Sequence, residues 1–116
     1  MRNGLYSIQI NMLDGVKAHD SGVIILRDGK LLGGGPYFWW SGSYTTGKDR
    51  TWKGELTTNQ HTPTIDSPVR PAFGGREVTS GFSGTFTDDG GEVFATSLVG
   101  TRSVSLRATL KFLTEE

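Results

Sequence analysis

The dominant pattern along the chain is alternation of apolar and polar residues with period two. Between Leu5 and Leu13, residues Tyr6, Ile8, Ile10 and Met12 share one face and Ser7, Gln9 and Asn11 share the other. That pattern predicts a half-buried strand. Asp14-Gly15 follows as a hairpin signal. A second strand begins within Val16–Asp20 and runs to Arg27, with the continuous apolar run Val23–Leu26 inside it. Asp28-Gly29 is a strong two-residue hairpin signal, because both central positions of that turn want positive φ. Lys30–Leu32 returns, and Gly33-Gly34-Gly35 removes three side chains in a row, which predicts a sharp bend or a close backbone approach. Pro36 opens the next strand, which runs to Thr46. Phe38, Trp40, Gly42 and Tyr44 share one of its faces, and Tyr37, Trp39, Ser41 and Ser43 share the other. Either face could point inward. After a turn at Gly47-Lys48, Asp49–Thr58 alternates again, with Trp52, Gly54 and Leu56 against Thr51, Lys53, Glu55 and Thr57.

The rhythm then breaks. Asn59–Arg76 holds Pro63, Pro68, Pro71 and Gly74-Gly75, with scattered apolar residues. It reads as a long loop with one helical turn or short strand near Ile65 or Phe73, and a loop of this length in a small domain is often functional. Glu77–Asp88 is the clearest strand, with Val78, Ser80, Phe82, Gly84 and Phe86 on one side. Asp88–Gly91 turns the chain, Glu92–Val99 returns, and Gly100–Arg102 turns it again. Ser103–Leu113 is the last strand, with Val104, Leu106, Ala108, Leu110 and Phe112 inward. No segment shows a 3.6-residue apolar period. The expectation is an all-β chain: one antiparallel eight-stranded meander over residues 1–116, closed into a small barrel. Closure hides the edges, and eight strands enclose either packed side chains or one small ligand.

Composition agrees. A 116-residue chain makes one domain and buries roughly 65% of its unfolded surface without staples. The 17 glycines fit a turn-rich architecture. Twelve basic and twelve acidic residues cancel, with no basic block, which argues against nucleic acid as the main partner. The absence of cysteine excludes disulfides and thiolate metal sites, and fits a reducing compartment. MRNGLYSIQIN has no long apolar core or cleavage site, so no signal peptide is expected, and no apolar run is long enough to span a membrane.

The chain offers no catalytic constellation. It has no cysteine nucleophile and no G-x-S-x-G elbow. His19 and His61 read as solvated surface residues. Asp88-Asp89-Gly90-Gly91-Glu92 lacks the ligand series of a calcium loop and reads as a plain turn. Gly33-Gly34-Gly35 lacks the helix and lysine of a phosphate cradle. Asp66 and Glu77 flank the proline-rich stretch without the spacing of a glycosidase pair. No cofactor or metal is expected, and the chain does not read as an enzyme. The aromatics carry the information: Tyr37, Phe38, Trp39, Trp40 and Trp52 serve as core, as interface anchors or as a ligand platform. If Trp40 points inward, Trp39 points outward and becomes an interface candidate. Trp40, Trp52, Phe82 and Phe86 are the candidate lining of a cavity for a small apolar ligand.

Taken in order, Asn3-Gly4-Leu5-Tyr6-Ser7-Ile8, Gly22-Val23-Ile24-Ile25-Leu26, Asp28-Gly29-Lys30, Gly33-Gly34-Gly35 and Trp40-Ser41-Gly42-Ser43-Tyr44 resemble the GrlR-like negative regulators of type III secretion. The resemblance covers residues 3 to 44 and is topological beyond them. It implies a calycin-like barrel that forms homodimers in the bacterial cytoplasm and blocks a transcriptional activator by binding it, without enzymatic activity. Family members carry an acidic run just after the strand matching Trp40–Tyr44. Here that place reads Thr45-Thr46-Gly47-Lys48-Asp49, so the fold carries over better than the partner does. Tyr37, Trp39, Lys48 and Asp49 are the candidate partner or dimer contacts.

Overall fold

The computed structural model describes residues 1–13, 19–62, 77–99 and 102–115. Eight strands follow one another: β1 (Gly4–Met12), β2 (His19–Arg27), β3 (Lys30–Gly34), β4 (Phe38–Thr46), β5 (Thr51–Gln60), β6 (Val78–Thr87), β7 (Gly90–Val99) and β8 (Arg102–Thr114). Each pairs antiparallel with the next, and β8 pairs with β1 to close the barrel. The closure runs from Tyr6 opposite Phe112 to Met12 opposite Leu106, with an irregularity between Leu5 and Tyr6.

The alternation seen in the sequence sets which side chains go in. Tyr6, Ile8, Ile10, Ile24, Leu26, Leu31, Phe38, Trp40, Tyr44, Trp52, Phe82, Val93, Leu106 and Leu110 are among the buried set. This settles the orientation of β4: Phe38, Trp40 and Tyr44 face the core. Apolar burial of this kind is the main favourable term in folding, at roughly 25 cal/mol per Å2.

Two turns adopt left-handed geometry. Asp28 and Gly29 have φ of 49° and 84°, as the Asp-Gly signal requires. In the 3-10 turn Lys48–Arg50 between β4 and β5, Asp49 and Arg50 have φ of 59° and 56°. That turn absorbs Asp49, so β5 starts later than the alternation suggests. Its far end is also later. Asn59 and Gln60, read from the sequence as loop, pair with Trp39 and Phe38 because β4 offers them ladder partners. Gly33 and Gly34 do not bend the chain. They lie in β3 opposite Ile24 and Val23, where a β-carbon on Gly33 would sit 2.2 Å from the Val23 carbonyl oxygen. Gly33 admits close strand approach, while a β-carbon on Gly34 would come no nearer than 3.2 Å to the Phe38 carbonyl oxygen, and the chain turns just after them. Asp14-Gly15, the segment 63–76 with Ile65, Asp66 and Phe73, and Gly100-Thr101 lie outside the described residues.

Residues 1–3 seal one end of the barrel. The Arg2 guanidinium lies over the Phe112 ring, 3.7 Å from its centroid, and donates to the Asp88 carbonyl oxygen from Nε at 3.0 Å and Nη2 at 2.6 Å. The Tyr6 hydroxyl donates to the Arg2 carbonyl at 2.6 Å. The Asn3 amide donates to Asp28 Oδ1 at 2.9 Å and its oxygen accepts from the Asp28 backbone N–H at 3.0 Å. Three separate chain segments are tied together at this end.

Candidate functional site: the barrel interior and its outer wall

Inside the barrel, Trp52 is packed between Tyr44 and Phe82 in two edge-to-face contacts, with centroids 5.7 and 5.0 Å away. Its indole Nε1–H donates to the Thr85 carbonyl at 3.2 Å. A cavity of about 30 Å3 remains, lined by apolar side chains together with Thr58 and Ser80. Of the four residues expected to line a cavity, Trp52 and Phe82 do so. Trp40 is fully buried but lies outside the lining, and Phe86 packs partly buried against the core. Among the described residues, Trp40 Nε1–H has no hydrogen-bond acceptor. The hydroxyls of Ser80 and Ser97 bond each other at the end where β5 gives way to β6.

The outer wall is uneven. Trp39 is 41% exposed, Leu32 is 60% exposed, and Val23, Ile25 and Leu113 join them. Strand register places them together. Leu5, Ile25, Leu32 and Ser41 form one cross-strand row, and Ser7, Val23, Gly34 and Trp39 form the next. Leu113 lies beside Leu5, where β8 meets β1. From β1 to β4 the two rows contain no charged side chain, a composition typical of the core of a protein interface, and Lys111, opposite Ser7 on β8, bounds the second row. Sequence reasoning singled out Trp39 but missed Leu32, Val23 and Ile25. The signal was the unbroken run Val23–Leu26, because an apolar run without alternation puts apolar side chains on both faces of a strand.

Two other expected contacts are placed differently. Tyr37 is half-buried and packs against the core, so it does not accompany Trp39 on the outer wall. Lys48 and Asp49 are exposed but sit past the far end of β4, more than about 20 Å along the strand from Trp39. They and Trp39 do not form one surface.

Charged groups lie mainly on turns and on the other side of the barrel. Arg50 pairs with Asp88 at 3.0 Å, and Arg107 with Glu92 at 2.7 Å. The hydrogen bond from Arg50 holds the Asp88 carboxyl below its usual range, and the hydrogen bond from Arg107 does the same for Glu92. Burial pushes the Tyr6 and Tyr44 hydroxyls upward. His61 is exposed, with Nδ1 2.6 Å from Thr62 Oγ1 and Nε2 2.8 Å from the Gly35 carbonyl, so its ring ties the end of β5 to the β3–β4 connection. The backbone of His19 lies in β2. Among the described residues no three His, Asp or Glu side chains gather as a metal site, and no helix is long and apolar enough to cross a membrane.

Fold and surface together define a closed, eight-stranded antiparallel barrel with a filled interior and one apolar outer strip. No family model matches the chain, and no curated protein matches it.

Proposed function

We propose that this protein is a non-enzymatic, protein-binding barrel that self-associates through the apolar strip of β1 to β4 and acts as a cytoplasmic regulator by sequestering a protein partner. The observation that carries the reading is the apolar strip around Leu32 and Trp39. Its five exposed apolar side chains present roughly 400 Å2, the size at which surface patches mark interaction sites. With its polar rim of Ser7 and Ser41, the strip fits an interface smaller than the standard one of roughly 800 Å2 per partner. The resemblance to negative regulators of type III secretion supplies the partner class, a transcriptional activator. Lys48 and Asp49 project from the opposite end of β4, so a partner held there leaves the strip free for a second copy.

Sedimentation velocity across a concentration series tests this. The wild-type chain is expected to dimerise, and Leu32→Asp to weaken the dimer by at least about 100-fold, since one desolvated charge is buried per copy. A wild-type chain that stays monomeric into the hundred-micromolar range refutes the reading.

A second reading, a lipocalin-like binder of a small apolar ligand, has one observation in its favour: the buried Trp40 Nε1–H without an acceptor among the described residues. Against it stands the cavity, about 30 Å3, which is a tenth of the smallest typical ligand pocket, roughly 300 Å3. A stoichiometric small-molecule adduct in native mass spectrometry of gently purified protein would favour this second reading.

A further inference from the structure

Next to the apolar strip, and sharing β4 with it, the outer wall of β4 to β7 forms a shallow, open groove of about 680 Å3. Register fixes its layout. One cross-strand row reads Thr45, Lys53, Ser83, Phe94, and the next reads Ser43, Glu55, Gly81, Thr96. Phe94 is half exposed, with Ser83 and Gly81 on the neighbouring strand and Lys53 and Glu55 beyond them.

Gly81 is the telling residue. A β-carbon built on Gly42, Gly54 or Gly84 would collide with the backbone of a neighbouring strand, so the fold demands glycine there. Among the described residues, a β-carbon on Gly81 would meet nothing within 4 Å. Gly81 has no positive φ either. A strand-interior glycine costs roughly 0.5–1 kcal/mol relative to alanine, and nothing in the fold explains that cost here. Close approach of a ligand to the backbone is one of the reasons a strand carries glycine, and it is the one that open space above an exposed position fits.

The lining indicates what approaches. Among the described residues, the side chains of Ser43, Lys53, Glu55 and Ser83 are engaged in no hydrogen bond or ion pair, while Thr96 Oγ1 contacts Ser105 Oγ at 3.3 Å. The groove therefore presents uncommitted donors and acceptors beside one flat ring. Lys53 and Glu55 are neighbours of opposite sign, so the groove has little net field to attract an ion. β4 to β7 are all paired on both sides, which removes any free edge for strand addition by a peptide.

We propose that this groove binds a neutral saccharide. The C–H face of a pyranose ring packs against Phe94, and the sugar lies over the Gly81 floor. Its hydroxyls, each both donor and acceptor, bond Ser43, Ser83 and Thr96, accept from Lys53 and donate to Glu55. This site adjoins the apolar strip along β4 but does not rest on the regulatory reading built on that strip.

The test is an amide-detected NMR titration of the full chain with cellohexaose, maltohexaose and triacetylchitotriose, each into the millimolar range, with a sialylated oligosaccharide as the charged control. The expected result is saturable shifts for at least one neutral probe at Lys53, Glu55, Gly81, Ser83, Phe94 and Thr96. Phe94→Ala is expected to weaken that binding at least about tenfold. Gly81→Leu fills the floor and is expected to abolish binding while leaving the remaining amide spectrum unchanged, which separates loss of the site from loss of the fold. Absence of shifts with every neutral probe, a stronger response to the charged control, or shifts confined to the Leu32–Trp39 strip each overturn the proposal.

Discussion

Gly84 and Gly81 lie on the same strand, three residues apart, and replacing each by alanine applies one perturbation to opposite surroundings. At Gly84 the new β-carbon would lie 1.8 Å from the Glu92 carbonyl oxygen and 2.8 Å from the Val93 Cα. Ordinary contact begins at 3.4 Å, so β7 must retreat by about 1.5 Å. A shift of that size breaks ladder hydrogen bonds between β6 and β7, each worth about 1 kcal/mol, and adds overpacking of about 1–3 kcal/mol. Gly84→Ala should therefore cost about 3–5 kcal/mol, a large part of the stability of a domain this size, and lower Tm by roughly 15 °C or more. Gly81→Ala meets open space, removes unfolded-state freedom and should stabilise by about 0.5–1 kcal/mol. Urea unfolding followed by tryptophan emission and by far-ultraviolet circular dichroism measures both against wild type. A Gly84→Ala variant within about 1 kcal/mol of wild type would refute the close-approach argument. So would a Gly81→Ala variant less stable than Gly84→Ala.

Two further expectations concern the core. Trp52→Ala should cost about 4–5 kcal/mol in the same urea assay, because it empties the space between Tyr44 and Phe82; Trp52→Phe should cost about 1–2 kcal/mol, losing mainly the bond to Thr85, and equal costs for the two would contradict the packing described. The raised Tyr6 and Tyr44 hydroxyls stay protonated in the folded chain at a pH where they ionise in the unfolded one. The stability they contribute is present below about pH 10 and lost as pH rises through their folded values, so alkaline unfolding should be shifted upward in pH by Tyr6→Phe, as read by tyrosinate absorbance.

Strand positions were legible because burial on one face forces alternation, and every inward tryptophan sits where period two puts it. The inward direction of β4 was not legible. Trp39 and Trp40 are equally apolar, and only pairing of Trp40 between Gly33 and Thr58 decides which ring fills the core. The role of Gly33 and Gly34 was also hidden. A glycine looks the same in sequence whether it bends a chain or admits a neighbouring strand. Gly47-Lys48 marked the turn before β5, but its left-handed residues, Asp49 and Arg50, follow where neither asparagine nor glycine stands to signal them. The two outer surfaces need cross-strand register to exist at all. Leu32 and Ile25 become neighbours only once β2 and β3 are paired, and Gly81 becomes the floor of a groove only between Glu55 and Thr96.

The seam between β1 and β8 joins residues that are far apart in the chain, such as Tyr6 and Phe112. On a ribosome adding roughly 5–20 residues per second, β1 waits roughly 5–20 s for its second neighbour to be made. During that interval its free edge is exposed, and the outward side chains beside it, Ser7, Gln9 and Asn11, carry no charge to repel another nascent strand. Soluble yield should therefore depend on how fast the chain is made relative to how crowded its neighbours are, and the last strand translated decides whether the first one is safe.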